Sequence, residues 1–244
     1  MSGLKKRAMG LILTASIFAS FITAYGLLLR LSSGPEDYAS MPGNVTETAL
    51  MQPRKSSDTS LEEALLNRRS VRNYADGALT LDQLSQLLWA AQGLTSPQGL
   101  RTAPSAGGLY PLEVYVVVGG VEGLSPGVYR YLPNSHSILR ILDGDRRVKL
   151  AQASLDQSWV KDAAVDVIIA AAYERTTVKY GERGVRYVHL EAGHAAQNVC
   201  LQATALRLGV VTVGAFDDET VSLVAGLPQN EKPLYVIPVG RLEP

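Results

Sequence analysis

Apolar runs of strand length and of helix length follow one another irregularly along this chain, and that order constrains its fold more than any other feature. Leu112 to Val118, Val165 to Ala172, Val210 to Val213 and Leu234 to Val239 are short runs enriched in Val and Ile, as buried strands are. Val128 to Leu132 and Ile138 to Leu142 read as two more, joined through Pro133-Asn134-Ser135-His136. Ser60-Leu61-Glu62-Glu63 is a capping box that opens a short helix toward Arg68. Thr80-Leu81-Asp82-Gln83 opens another, whose apolar face of Leu84, Leu87, Leu88 and Ala91 runs to Gly93. Asp145 to Leu155 and Asp217 to Ala225 are further short helices. Tyr187 to Leu208 is a long, Ala-rich helix; small side chains let helices approach closely, so it is expected at the centre or at a subunit contact. No regular β-α-β order emerges, so the expected class is α+β rather than a doubly wound sheet.

The N-terminus stands apart from this pattern. Ala8 to Leu29 is apolar and uncharged, preceded by Lys5, Lys6 and Arg7 and closed by Arg30. About 22 residues of helix span roughly 33 Å, the thickness of a bilayer core, and exceed the apolar region of an ordinary secretory signal. Residues 1–30 are therefore expected to be an uncleaved membrane anchor, with a cleaved signal as the alternative. The basic residues favour a cytoplasmic N-terminus. Residues 31–59, with Ser32-Ser33-Gly34-Pro35, Pro42-Gly43 and Pro53, read as a flexible linker, leaving 60–244 as the folded domain. Asn44-Val45-Thr46 is a glycosylation sequon, relevant only in a lumen that glycosylates.

The chain has 244 residues, enough for one domain and an appendage. Lys+Arg and Asp+Glu are equal at 23 each, which argues against bulk nucleic-acid binding. Cys200 is the one cysteine, so no internal disulfide forms; among Ala and Leu it reads as a small core residue.

Two stretches carry chemistry. Arg68-Arg69-Ser70-Val71-Arg72 packs three guanidiniums and a hydroxyl into five residues, a set that can fork onto phosphate oxygens. Ala103-Pro104-Ser105-Ala106-Gly107-Gly108-Leu109-Tyr110-Pro111 is a small-residue loop whose backbone a flat ring can approach closely. Together they suggest a phosphorylated, planar cofactor. His189 and His194 are five apart and point about 140° from each other on a helix, so no metal is expected there. His194 is expected to pack, and Gln197 and Asn198 to be buried structural partners. No dinucleotide fingerprint follows a strand, so NAD(P)H would bind only transiently.

From Leu61 to Arg241 the chain resembles the nitroreductase superfamily, and within it the SagB/ThcOx-type FMN-dependent dehydrogenases. The blocks that carry this are the two stretches above, Lys179-Tyr180-Gly181, Leu190-Glu191-Ala192-Gly193-His194-Ala195-Ala196-Gln197-Asn198, Gly214-Ala215-Phe216-Asp217-Asp218 and Pro238-Val239-Gly240-Arg241. The resemblance implies a nitroreductase-like fold, with a mainly antiparallel sheet flanked by helices, and FMN at a homodimer interface. Arg68, Arg69, Ser70 and Arg72 would hold the phosphate, ribityl and pyrimidine side, with Arg241 closing on the phosphate. Pro104, Ser105, Ala106 and Gly107 would lie along the ring edge, and Gly214 and Ala215 near the flavin N5. Lys179 and Tyr180 would be catalytic, removing a proton while hydride passes to flavin; without the resemblance the stretch from Tyr173 to Arg183 reads as a solvated loop. Arg175 and Arg183 are candidate cationic neighbours of Lys179. Many relatives wrap a C-terminal tail around the partner, whereas this chain runs three residues past Arg241, which leaves open whether the implied dimer is tail-swapped.

The implied activity is oxidation of azoline-like rings in peptides. The alternatives are NAD(P)H-dependent reduction of nitro-aromatics or quinones, and a membrane-tethered flavoprotein without turnover.

Overall fold

The computed structural model describes residues 46–243. The proposed anchor, most of the linker and the sequon's Asn44 lie outside them; among the described residues no helix is long and apolar enough to cross a membrane. The elements run β1 (Glu47–Ala49), α1 (Leu61–Asn67), α2 (Leu81–Gln92), β2 (Leu112–Val118), β3 (Gly127–Leu132), β4 (Ser137–Asp143), α3 (Arg147–Ala153), α4 (Ser158–Asp162), β5 (Val165–Ala171), α5 (Glu174–Tyr180), α6 (Arg183–Ala205), β6 (Leu208–Val210), α7 (Asp218–Ala225) and β7 (Lys232–Arg241). Seven strands form one sheet in the order β1-β4-β3-β2-β5-β7-β6, and every ladder is antiparallel. The α+β class expected from the pattern is what the chain builds.

Side-chain alternation explains the layers. Val114, Val116 and Val118 of β2 and Val165, Val167 and Ile169 of β5 face α2 and α6. Tyr115 and Val117, with Ile168 and Ala170, face the other way, onto α3, α4 and α7. Both faces are covered, so β5 is buried along its whole length and is apolar at every position but Asp166. Each such side chain contributes about 1.5–3 kcal/mol by leaving water.

Helix α6 presents Val188, Ala192, Ala195, Val199 and Ala203 to the core at helical spacing, with Cys200 buried beside them. The capping box is reciprocal at Thr80–Gln83; at Ser60 only the hydroxyl's bond from the Glu63 N–H is made. Gly93 closes α2, as its sequence suggests.

Three readings change. The segment taken as linker contributes β1, which pairs with β4, and Leu50 is buried. Its three residues are too short to show a period, and only the waiting edge of β4 defines them. The stretch from Tyr173 to Arg183 is helical rather than a loop, because α5 docks on α6. His194 and Gln197 are exposed and Asn198 is half-buried, its Nδ2 donating to the Thr102 carbonyl at 3.3 Å. Those residues lie on the side of α6 turned away from the core.

Candidate active site

The sequence-derived site residues fall into two groups. At the β6 edge of the sheet, Ser70 bridges Val210 and the Val71 N–H donates to the Val210 carbonyl at 2.9 Å. Arg241 ends β7 opposite Leu208, and its carbonyl accepts from the Ala75 N–H. Its side chain crosses Gly77, where a Cβ would stand 2.8 Å from Cδ; the positive φ of +134° there also excludes other residues. Arg72 lies over the Trp159 ring at 5.3 Å. Arg68 reaches toward Cys200, whose thiol burial pushes up to about 11 against the pull of that cation. No carboxylate among the described residues pairs with Arg68, Arg72 or Arg241. Three unpaired guanidiniums and a hydroxyl at one edge suit an anion. Arg69 differs: its Nη1 donates to the Leu66 and Arg68 carbonyls at 2.8 Å, capping α1. Gly214 and Ala215 lie exposed beyond Val213, which pairs with Val236, and Gln157 Nε2 holds the Ala215 carbonyl at 2.9 Å.

The second group surrounds the small-residue loop. Ala106–Gly108 make one 3-10 turn, with positive φ at Gly107, Gly108 and Tyr110. A Cβ on Gly107 would stand 2.7 Å from Tyr180 Oη and 2.9 Å from Lys179 Nζ, so only glycine lets these two groups come down on the loop. Tyr180 packs edge-on against Tyr187 at 5.1 Å. The expected cationic neighbours are engaged elsewhere. Arg183 lies over Tyr187, and Arg175 pairs with Glu113 at 2.6 Å and donates to the Tyr110 carbonyl at 3.2 Å. Arg175 thus ties the helix bearing Lys179 and Tyr180 to the loop. Burial pushes the Glu113 carboxyl up, but Arg130 and Arg175 outweigh it and hold it below the usual range.

Behind the loop lies a buried polar layer that sequence reasoning passed over. Ser105 Oγ accepts the Tyr110 N–H at 2.9 Å. Arg101 stacks on Tyr110 at 4.7 Å and donates to Gln92 Oε1 at 3.0 Å. Glu191 is 2% exposed, and its Oε1 has no partner. The signal was present: a glutamate on the apolar stripe of an Ala-rich helix.

Helix α6 connects the two groups. Tyr180 comes three residues before its start, and Cys200, beside Arg68, lies near its end.

The chain belongs to a known class. The sequence profile of the Nitroreductase family matches residues 65–241, and the chain belongs to that family of oxidoreductases. MJ1384 of Methanocaldococcus jannaschii, which carries the nitroreductase name, is 50% identical over 195 residues, 80% of this chain and 98% of that one. The microcin B17-processing protein McbC of Escherichia coli is 29% identical over 65% of this chain and 61% of its own. The NADPH-flavin oxidoreductase of Vibrio harveyi is 28% identical over 43% and 47% respectively. Among solved structures, a nitroreductase-named protein of Anabaena variabilis superposes with a TM-score of 0.72 at 31% identity, over 82% of this chain and 42% of that one. One from Ralstonia eutropha gives 0.71 at 29%, over 81% and 90%.

Proposed function

We propose that this protein is an FMN-dependent dehydrogenase that oxidises azoline-like rings in peptides. The observation that carries the reading is the convergence of Lys179 Nζ and Tyr180 Oη on Gly107, which puts a proton acceptor and a phenol over a loop open to a flat ring. The chain's residues fit FMN: Arg68, Ser70, Arg72 and Arg241 offer unpaired donors for a phosphate, and the exposed backbone of Gly214 and Ala215 offers N–H groups. The fork of Arg69 is partly spent on α1, so its part is the smallest. Bound FMN would accept the hydride. Lys179 or Tyr180 removes the ring proton, Gly107 lets them approach, and Pro104, Ser105 and Ala106 border the ring. McbC, named for processing a peptide, supports this substrate class.

The second reading is NAD(P)H-dependent reduction of quinones or nitro-aromatics, favoured by the flavin oxidoreductase relative. The test is to purify the protein, record its visible spectrum, and assay an azoline peptide against NAD(P)H with a quinone. Azole formation supports the first reading; quinone turnover alone supports the second; a colourless protein that gains no flavin refutes both.

We further propose a homodimer. Leu65, Leu66 and Leu190 are 52%, 71% and 54% exposed, apolar surface that a second copy would cover. In it, the loop group of one copy completes the arginine group of the other.

A further inference from the structure

The loop that carries Gly107 and the helix that carries Lys179 and Tyr180 leave the sheet at the same end. The loop runs into β2 and α5 follows β5, and these strands pair with Leu112 opposite Ala171. Just beyond that pair the Ala172 N–H donates to the Pro111 carbonyl at 2.9 Å. Arg175 of α5 crosses from the helix to the loop. Its Nη2 meets Glu113 Oε1 at 2.6 Å, and its Nη1 donates to the Tyr110 carbonyl at 3.2 Å.

Both ends of that crossing are themselves held. Glu113 Oε2 meets Arg130 Nη2 of β3 at 2.8 Å, and the same Nη2 stands 3.7 Å from Oε1 of Glu231, which is 3% exposed. The other oxygen of Glu231 accepts the Tyr115 hydroxyl at 2.7 Å. Cation and anion alternate along Arg175, Glu113, Arg130 and Glu231, so the formal charges of the row cancel. Such pairs add little net stability over apolar packing of the same volume, but a guanidinium fork and a carboxylate meet in one geometry and so fix direction. On the loop side, the Tyr110 N–H donates to Ser105 Oγ at 2.9 Å, which closes a short ring of chain around Gly107. The Tyr110 hydroxyl accepts the Arg101 N–H at 3.3 Å. Residues four apart share a helix face, so fixing Arg175 also fixes Lys179, one turn further along α5.

We propose that Arg175 is a positioning residue for the dehydrogenation: it joins Glu113 at the root of β2 to the Tyr110 carbonyl, and through that joint it sets Lys179 and Tyr180 over Gly107. It acts through those two side chains rather than on the reacting ring. The inference rests on the function proposed above, which supplies the ring. Glu113, Arg130 and Glu231 serve it by fixing the direction of the Arg175 fork. A lysine in its place keeps a positive charge opposite Glu113 but has one nitrogen where the fork places two, so the tie to Tyr110 is lost.

The experiment uses the full-length, flavin-loaded protein and an azoline peptide. Arg175→Lys should lower kcat roughly tenfold or more, the scale on which a misplaced catalytic group acts, with KM, flavin content and melting temperature little changed. In a chain that already carries Lys179→Ala and Tyr180→Phe, the same change should cost less than about twofold, because residues that act through one another do not add. Hydrogen exchange, read without substrate, should quicken in Arg175→Lys at residues 106–110 and 174–180 together and stay as it was in β5. An unchanged kcat, a rise in KM in place of the fall in kcat, an equal loss in the chain lacking Lys179 and Tyr180, or unchanged exchange overturns the proposal. If the unaltered protein leaves the azoline peptide unreacted, the function proposed above fails and the positioning role falls with it. The exchange measurement then decides separately whether Arg175 holds loop and helix together.

Discussion

Four single residues carry the proposed chemistry. Gly107 is the clearest, because a methyl group there falls within 3 Å of both Tyr180 Oη and Lys179 Nζ, on a backbone at φ +64° that L residues rarely adopt. Gly107→Ala should keep flavin, lower azoline turnover at least tenfold and leave quinone reduction largely intact. A variant with full azoline turnover would show that the Lys–Tyr approach to the loop is not needed. Lys179→Ala and Tyr180→Phe should stay yellow and stable while losing 10²-fold or more in azoline turnover, a typical size for a general base. A quinone can draw its protons from water, so its reduction should survive both changes; unchanged azoline activity in both variants would take these residues out of the mechanism. Arg68 belongs to the other group. A charge-assisted contact is worth about 1.5–3 kcal/mol, so Arg68→Ala should weaken FMN binding roughly ten- to a hundredfold, measured by fluorescence titration of the released flavin.

Among the elements, β5 carries a built-in conflict. Asp166 is its second residue, fully buried, and neither carboxylate oxygen has a hydrogen-bond partner. Arg147 is nearby but is spent on Asp145 and the Ala163 carbonyl. Burial pushes the Asp166 carboxyl well above its usual value, with Arg147 only partly offsetting it. A carboxyl raised in the folded state holds its proton there after the unfolded chain has released it. Its contribution is fully present below the unfolded value of about 3.9 and is lost as pH rises through the folded one. Stability should therefore decline as pH rises above about 4 toward the raised folded-state value. Asp166→Val should flatten that decline and raise stability at pH 8 by about 1–3 kcal/mol, because it removes an unsatisfied buried group among apolar neighbours. Denaturant melts at several pH values check this, and a slope unchanged in the valine variant would place the titration elsewhere.

At the level of the whole molecule, the proposed homodimer, in which the loop group of one copy completes the arginine group of the other, is open to a direct test. Co-expressing an Arg68→Ala chain with a Lys179→Ala chain tests it. If each site draws on both copies, the mixed dimer contains one intact site, and activity returns that neither variant has alone. No recovery would place each site within a single chain. The proposed anchor from Ala8 to Leu29 is tested separately: the full chain should stay in the membrane fraction through a carbonate wash, and one lacking residues 1–31 should not. A mature chain beginning near Leu27 would show a cleaved signal instead.

Local chemistry was enough to read most elements. The strand-length runs of β2 and β5, the caps at Thr80 and Gly93 and the stripe of α6 depend on residues close in sequence, so the sequence by itself determined the α+β class. It also marked the arginine segment and the small-residue loop, since each packs its chemistry into a few neighbouring positions. Only the tertiary structure decided how they meet. Nothing local shows that β1 finds the edge of β4, that Arg69 turns back to cap α1, or that Arg175 reaches the Tyr110 carbonyl sixty-five positions away. The same holds for Glu191, which is buried only once α6 packs onto the rest of the domain. These features depend on contacts between residues distant in the chain, and such contacts exist only once the sheet has brought its two covering layers of helices into place.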